Sequence, residues 1–216
     1  MNTSLADREG FAAFLLRMRN NGMDDRLLMA AFEAVPRRDF IRPEFLSDVW
    51  SKGTIPIDCG ESIEGPDTQA RLIRHLGIEE YHRVLEIGTG SGFTAAVMSK
   101  LAKRVFTIER YRTLSAAAAA RIRELKIDNA IASHGDGSRG GTDGPFDRII
   151  SWAAFDNVPR PFIEQLTSGG VMICPIGEAD MPQDIVRLTK VGSRFEREDI
   201  GKVRAQPLNL KIPEFL

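Results

Sequence analysis

Along the first 35 residues apolar side chains return at helical spacing twice. Phe11, Phe14, Leu15 and Met18 fall on one face, then Leu27, Leu28, Ala31, Phe32 and Val35 on another. Asp24 or Asp25 caps the second helix and Pro36 stops it. The spacing then fails. Residues 36–67, PRRDFIRPEFLSDVWSKGTIPIDCGESIEGPD, are dense in Pro, Gly and charge, which predicts a functional loop. A third helix is expected from Pro66–Thr68 to His75, with Gly77 near its end. From residue 83 the pattern switches. RVLEI, RVFTIE, AIASHG, FDRIISWA and GVMICPIG read as strands, with TAAVMSKLA, LSAAAAARIREL and RPFIEQL as helices between them. Such alternation predicts an α/β fold, a doubly wound and mostly parallel sheet covered on both faces. Beyond residue 183, DIVRLTKVGSRFEREDIGKVRAQPL reads as strand, turn and strand, an antiparallel edge.

A chain of 216 residues suits a single domain. Residues 1–80 would supply N-terminal helices and a substrate-side loop, and residues 83–216 a cofactor-binding core. The balance of 29 basic against 30 acidic side chains offers no field for nucleic acid or anionic lipid, and neither partner is expected. No apolar run of about 18 residues exists to span a bilayer. The start, MNTSLADREG, lacks an apolar secretory core, so a cytoplasmic location is expected. Cys59 and Cys174 lack the spacing of a disulfide framework or a metal site and read as reduced, small apolar residues. The tail NLKIPEFL could dock on the body or on a second subunit, which leaves monomer and dimer both open.

The chemistry concentrates in VLEIGTGSGF, residues 84–93. Gly88, Gly90 and Gly92 follow a strand and precede a helix, so the backbone can turn tightly and approach a ligand. A dinucleotide fingerprint would need glycine where Phe93 stands. The spacing G-x-G-x-G with Glu86 two residues before it resembles instead the first motif of class I S-adenosylmethionine-dependent methyltransferases, whose ligand has no pyrophosphate and carries sulfonium and ammonium groups that a nearby carboxylate suits. Glu109 closes the next strand, where a carboxylate can accept from both ribose hydroxyls. Asp136 in HGDGSRG follows the strand after that and can reach an adenine amino group. Together these positions point to S-adenosyl-L-methionine.

The stretches AVPRRDFIRPEF, TIPIDCGESIEGP, VLEIGTGSGFTAAVMSKLA, VFTIERYRTLSAAAAARIREL, DNAIASHGDGSRG, FDRIISWAAFDNVPRPFIEQLTSGGVMICPIG and VRAQPL carry a resemblance over residues 5–208. The chain resembles the protein-L-isoaspartate (D-aspartate) O-methyltransferases. The resemblance implies a class I, Rossmann-like methyltransferase fold with an unusual placement of its last strands. It implies an enzyme that methylates the carboxylate of isoaspartyl residues in damaged proteins, for repair. It also implies that Glu86, Gly88, Thr89, Gly90, Ser91, Glu109, Arg110, Asp136 and Gly137 line the cofactor. Ser62, Ile63, Gly65 and Pro66 would meet the substrate. A substrate carboxylate is already an ionised nucleophile, so His75, His82 and His134 read as ordinary histidines.

GESIEGP departs from the resembling family's pattern, which is close to G-Q-T-I-S-x-P. Glu61 stands for its glutamine and Glu64 for its hydroxyl-bearing catalytic-side residue. A Glu64 carboxylate about 4 Å from an acceptor carboxylate would be repelled by about 1 kcal/mol in water and about 4 at an effective dielectric of 20. Glu64 could be protonated, turn outward, or pair with Arg37, Arg38 or Arg71. Ala205 and Gln206 also depart, where an aromatic and an apolar residue are usual. Two further readings stand beside the first: a methyltransferase of the same fold with another acceptor, and a non-catalytic S-adenosylmethionine-binding protein.

Overall fold

The computed structural model describes residues 5–208. Helices α1 (Leu5–Asn20) and α2 (Arg26–Ala34) lead the chain. Asp25 caps α2 by accepting from Leu28 N at 3.0 Å. The loop that follows is ordered by 3-10 turns at Arg37–Phe40 and Pro43–Asp48 and by a hairpin of β1 (Ile55–Pro56) and β2 (Ser62–Ile63). Helix α3 (Pro66–Leu76) begins on its proline and ends at Gly77, whose φ of 62° gives the left-handed cap.

The core then runs β3 (Arg83–Ile87), α4 (Phe93–Met98), β4 (Arg104–Glu109), α5 (Arg112–Glu124), β5 (Ala130–His134), β6 (Phe146–Ser151), α6 (Phe162–Gln165), β7 (Leu166–Ile176), β8 (Gln183–Val191) and β9 (Arg194–Val203). Strands lie in the order β5-β4-β3-β6-β7-β8-β9, parallel through β7 and antiparallel beyond it. The last two strands form a plain meander outward from β7. Order reverses between β3 and β6, and such a switch opens a crevice at the carboxyl ends of the strands. Helix α4 is shorter than TAAVMSKLA predicts. It stops at Met98, where the Ser99 hydroxyl donates to Ala96 O at 2.6 Å and the chain turns toward β4.

Alternation along β3 sends Val84 and Leu85, both fully buried, into separate apolar clusters on the two faces of the sheet. The first cluster joins the N-terminal helices to the core through aromatic rings. Phe14 stacks on Trp50 at 5.4 Å between centroids, while Phe32 and Phe40 meet Phe93 edge-on at 5.6 and 5.5 Å. Phe93 opens α4 directly after the glycine loop, so this packing braces the loop from behind. Each such ring removed from water contributes roughly 2–3 kcal/mol. Cys174 is buried in β7 and Cys59 is half-buried, both as free thiols. Among the described residues no helix is long and apolar enough to cross a membrane. The tail NLKIPEFL lies outside the described residues.

Candidate active site

At the switch between β3 and β6 lies a cleft, open to solvent, with the glycine loop along one wall. Gly88 N anchors the loop on Ile108 O at 2.9 Å. Gly90 adopts φ +52°, and a Cβ there would stand 3.2 Å from the Ile63 side chain. The loop backbone therefore runs close to the acceptor-side hairpin, and only glycine leaves the gap between them open. Glu109 ties the loop to β4, accepting from Gly90 N at 2.9 Å on one oxygen and Tyr111 N at 3.1 Å on the other. Each oxygen keeps a second lone pair for a ligand hydroxyl. Asp136 commits Oδ1 to Ser138 N at 2.9 Å. Arg110 stacks over Tyr111 at 4.7 Å, and its Nε is buried with no hydrogen-bond partner. Gly88, Thr89, Gly90, Ser91, Glu109, Arg110, Asp136 and Gly137 all line the cleft.

Glu86 does not. It is fully buried beneath the loop, where Oε1 accepts from Thr94 and from Trp152 Nε1 at 2.8 Å, and Oε2 from Thr107 at 2.7 Å. Thr107 donates to Glu86, so the 2.6 Å contact between the Thr89 and Thr107 hydroxyls runs from Thr89. Glu86 thus supports the cleft through Thr94, Trp152 and Thr89, which line it, while its own carboxyl is not part of the lining. Burial pushes its carboxyl up to about 7 while the Thr94, Thr107 and Trp152 donors pull against that rise.

The opposite wall comes from the hairpin and from a strap after β9. Ser62, Ile63 and Glu64 line the cleft, with Glu61 beside them. Gly65 and Pro66 do not. Gly65 backs onto Lys52, whose carbonyl oxygen leaves no room for an added Cβ, and Pro66 is buried as the first residue of α3. Asp67 points elsewhere, pairing with Arg17 of α1 at 2.7 Å. The strap places Arg204, Gln206, Pro207 and Leu208 in the cleft, while Ala205 is turned to Gln183 Oε1, to which its N–H donates at 2.8 Å. Ala154 N to Gln206 O and Leu208 N to Ala154 O, each 2.8 Å, fasten it to the end of β6.

Arg37 holds the hairpin from below. Fully buried, it donates to Val49 O at 2.8 Å, Gln69 Oε1 at 2.5 Å and the Glu64 main-chain carbonyl at 3.1 Å, with its guanidinium 4.5 Å from the Phe93 ring centroid. Burial lowers its pKa to about 9. Since Arg37 grips the Glu64 backbone and Arg71 donates to Ile200 O at 3.4 Å, neither pairs with the Glu64 side chain. That side chain is half-buried in the cleft wall, and burial pushes its carboxyl above the ordinary range. Glu61 is raised too, first by burial, with the Tyr111 hydroxyl opposing through a hydrogen bond. Trp152, Ala153, Gln69, Ile57 and Leu114 also line the cleft, with Ile87 and Ile108 from the ends of β3 and β4, and local sequence marks none of the first five. None of the histidines lines the cleft.

The family model described as protein-L-isoaspartate(D-aspartate) O-methyltransferase matches residues 11–211. A protein-L-isoaspartate O-methyltransferase of Rhizobium meliloti is 42% identical over 202 residues, covering 93% of this chain and 99% of that one. One from Parvibaculum lavamentivorans is 41% identical over 197 residues, covering 90% and 89%. A solved protein-L-isoaspartate O-methyltransferase superposes with a TM-score of 0.83 at 26% identity, over 92% of this chain and 66% of that one. A Plasmodium falciparum structure titled a putative protein-L-isoaspartate O-methyltransferase, in complex with S-adenosyl-L-homocysteine, shares the fold at TM-score 0.78 and 23% identity, over 92% and 98%.

Proposed function

The chain belongs to the protein-L-isoaspartate(D-aspartate) O-methyltransferase family, and we infer from that membership and from the cleft how it transfers a methyl group to isoaspartyl residues of proteins. The methyl donor is S-adenosyl-L-methionine, and the residues present fit it. An open path past Gly90 and a buried carboxylate, Glu109, with free lone pairs suit a nucleoside carrying vicinal hydroxyls. The bound donor supplies an electrophilic methyl carbon on a sulfonium. With donor bound, Glu109 would accept from the ribose hydroxyls and Asp136 from the adenine amino group, and the Gly88–Ser91 backbone would flank the remainder, all of these residues lining the cleft.

Ser62, Ile63 and Glu64 face that loop across the cleft and hold the acceptor. Trp152, Ile57, Ile63 and Leu208 give the cleft apolar wall area, which limits the water that can reach the reacting atoms once donor and acceptor fill it. The acceptor carboxylate arrives ionised, so this chain need not remove a proton from it. Its contribution is proximity and alignment, an effect worth up to several kcal/mol. One observation carries the reading: the glycine loop with Glu109 and the Ser62–Glu64 wall share a single cleft.

The test is methyl transfer from labelled S-adenosyl-L-methionine to an L-isoaspartyl peptide and to its normal aspartyl twin. Label should enter the isoaspartyl peptide as a base-labile ester and leave its twin unlabelled. Donor binding with no transfer to either peptide would overturn the reading.

A further inference from the structure

Glu64 is the one acid of the acceptor wall whose carboxyl has no hydrogen-bond or ion-pair partner among the described residues. The groups sharing the cleft with it are Glu61, Glu109, Asp136, Arg110 and Arg204, with Tyr111 and Cys59 beside Glu61. Of these acids, Glu61 is bonded by Tyr111, Glu109 by two backbone N–H groups and Asp136 by Ser138 N. Of the cations, Arg110 lies on the Tyr111 ring and Arg204 stands exposed on the strap. Arg37 reaches only the Glu64 main-chain carbonyl. The acceptor of the proposed reaction, on which this inference rests, brings a further carboxylate into the same half-dry space. Two carboxylates that share a site do not both stay ionised, because each charge raises the other's proton affinity.

We propose that Glu64 is the acceptor-binding residue that takes up a proton as the acceptor enters, so that a carboxylic acid donates a hydrogen bond to the acceptor's carboxylate. Burial prepares it, having already raised the Glu64 carboxyl in the free protein. The proton comes from solvent and stays on Glu64 through the reaction. The unengaged acceptor oxygen bonds to the methyl carbon, and the carbon–sulfur bond breaks with its electron pair left on sulfur. The ester that forms is neutral, and Glu64 returns its proton to solvent as that product leaves. Repulsion thereby becomes attraction. The side chain also discriminates, since it grips an anionic acceptor and releases an uncharged product.

The test is calorimetric. An L-isoaspartyl peptide is titrated into the full chain saturated with S-adenosyl-L-homocysteine at pH 7.5, in two buffers of different ionisation enthalpy, and the protons taken up are counted. The wild type should take up close to one proton per peptide, and its peptide affinity should fall about tenfold per pH unit above neutrality. Glu64→Gln and Glu64→Ser should bind the peptide with uptake near zero and a flat pH profile. The peptide methyl ester should take up none with any variant. Binding without proton uptake in the wild type would overturn the proposal, as would undiminished uptake in both variants. Failure of the isoaspartyl peptide to bind at any pH, with S-adenosyl-L-homocysteine bound normally, would overturn the acceptor reading itself and the proposal with it.

Discussion

Glu109 and Glu86 look alike in the sequence, each an acid at the end of a buried strand. Their surroundings separate them. Glu109 reaches the cleft and stitches Gly90 to Tyr111, whereas Glu86 is enclosed by Thr94, Thr107 and Trp152. Glu109→Ala should therefore weaken S-adenosyl-L-homocysteine binding by about 1–3 kcal/mol, through loss of charge-assisted contacts and of the loop's own anchor. Titration calorimetry measures this directly, and an unchanged affinity would remove Glu109 from the donor site. The position of Glu109 is legible because a strand end and its distance from the glycine loop are local features. The inward turn of Glu86 is not. It depends on donors drawn from β4, α4 and the end of β6, whose convergence is a property of the folded sheet.

At the level of elements, the segment between α2 and α3 is an unusual piece of architecture. It has little regular structure, yet Arg37 ties two of its points, Val49 and Glu64, to each other and to Gln69 in the first turn of α3. Arg37→Met would leave those acceptors unpaired and should cost on the order of 3 kcal/mol of stability. It should also raise the KM for an isoaspartyl peptide several-fold with donor affinity nearly unchanged, because the hairpin moves and the glycine loop does not. Arg37→Lys should rescue little, since an ammonium cannot reproduce the planar fork. Equal losses of donor and acceptor binding would show that Arg37 supports the whole cleft and not one wall. The sequence announces this segment as functional through its Pro, Gly and charge, but its fastening rests on a contact 32 residues apart that no local pattern records.

For the molecule as a whole, Glu86 couples stability to pH. Its carboxyl sits near 7 in the folded protein against an ordinary 4.5. A raised acid favours folding while protonated, so this contribution is complete below about pH 4.5 and is lost as pH rises through 7. A gap of that size corresponds to roughly 3 kcal/mol. Chemical denaturation at pH 5 and pH 8 should find the wild type less stable at the higher value, and Glu86→Gln should flatten the difference. A slope unaltered in that variant would place the titrating group elsewhere. The alternating core, residues 83–176, is legible because each strand is an apolar run bounded by turns. The closing strap escapes a sequence reading because Arg204, Gln206, Pro207 and Leu208 matter only where they land, against Ala154. That landing has a consequence in time. A ribosome delivers the donor wall, from Gly88 to Ala153, well before the strap, and residues 204–208 appear only after every strand of the sheet has been made. A nascent chain shorter than that has the hairpin's part of the opposite wall and lacks the strap's, and so the cleft is walled in full only after the whole sheet has been made.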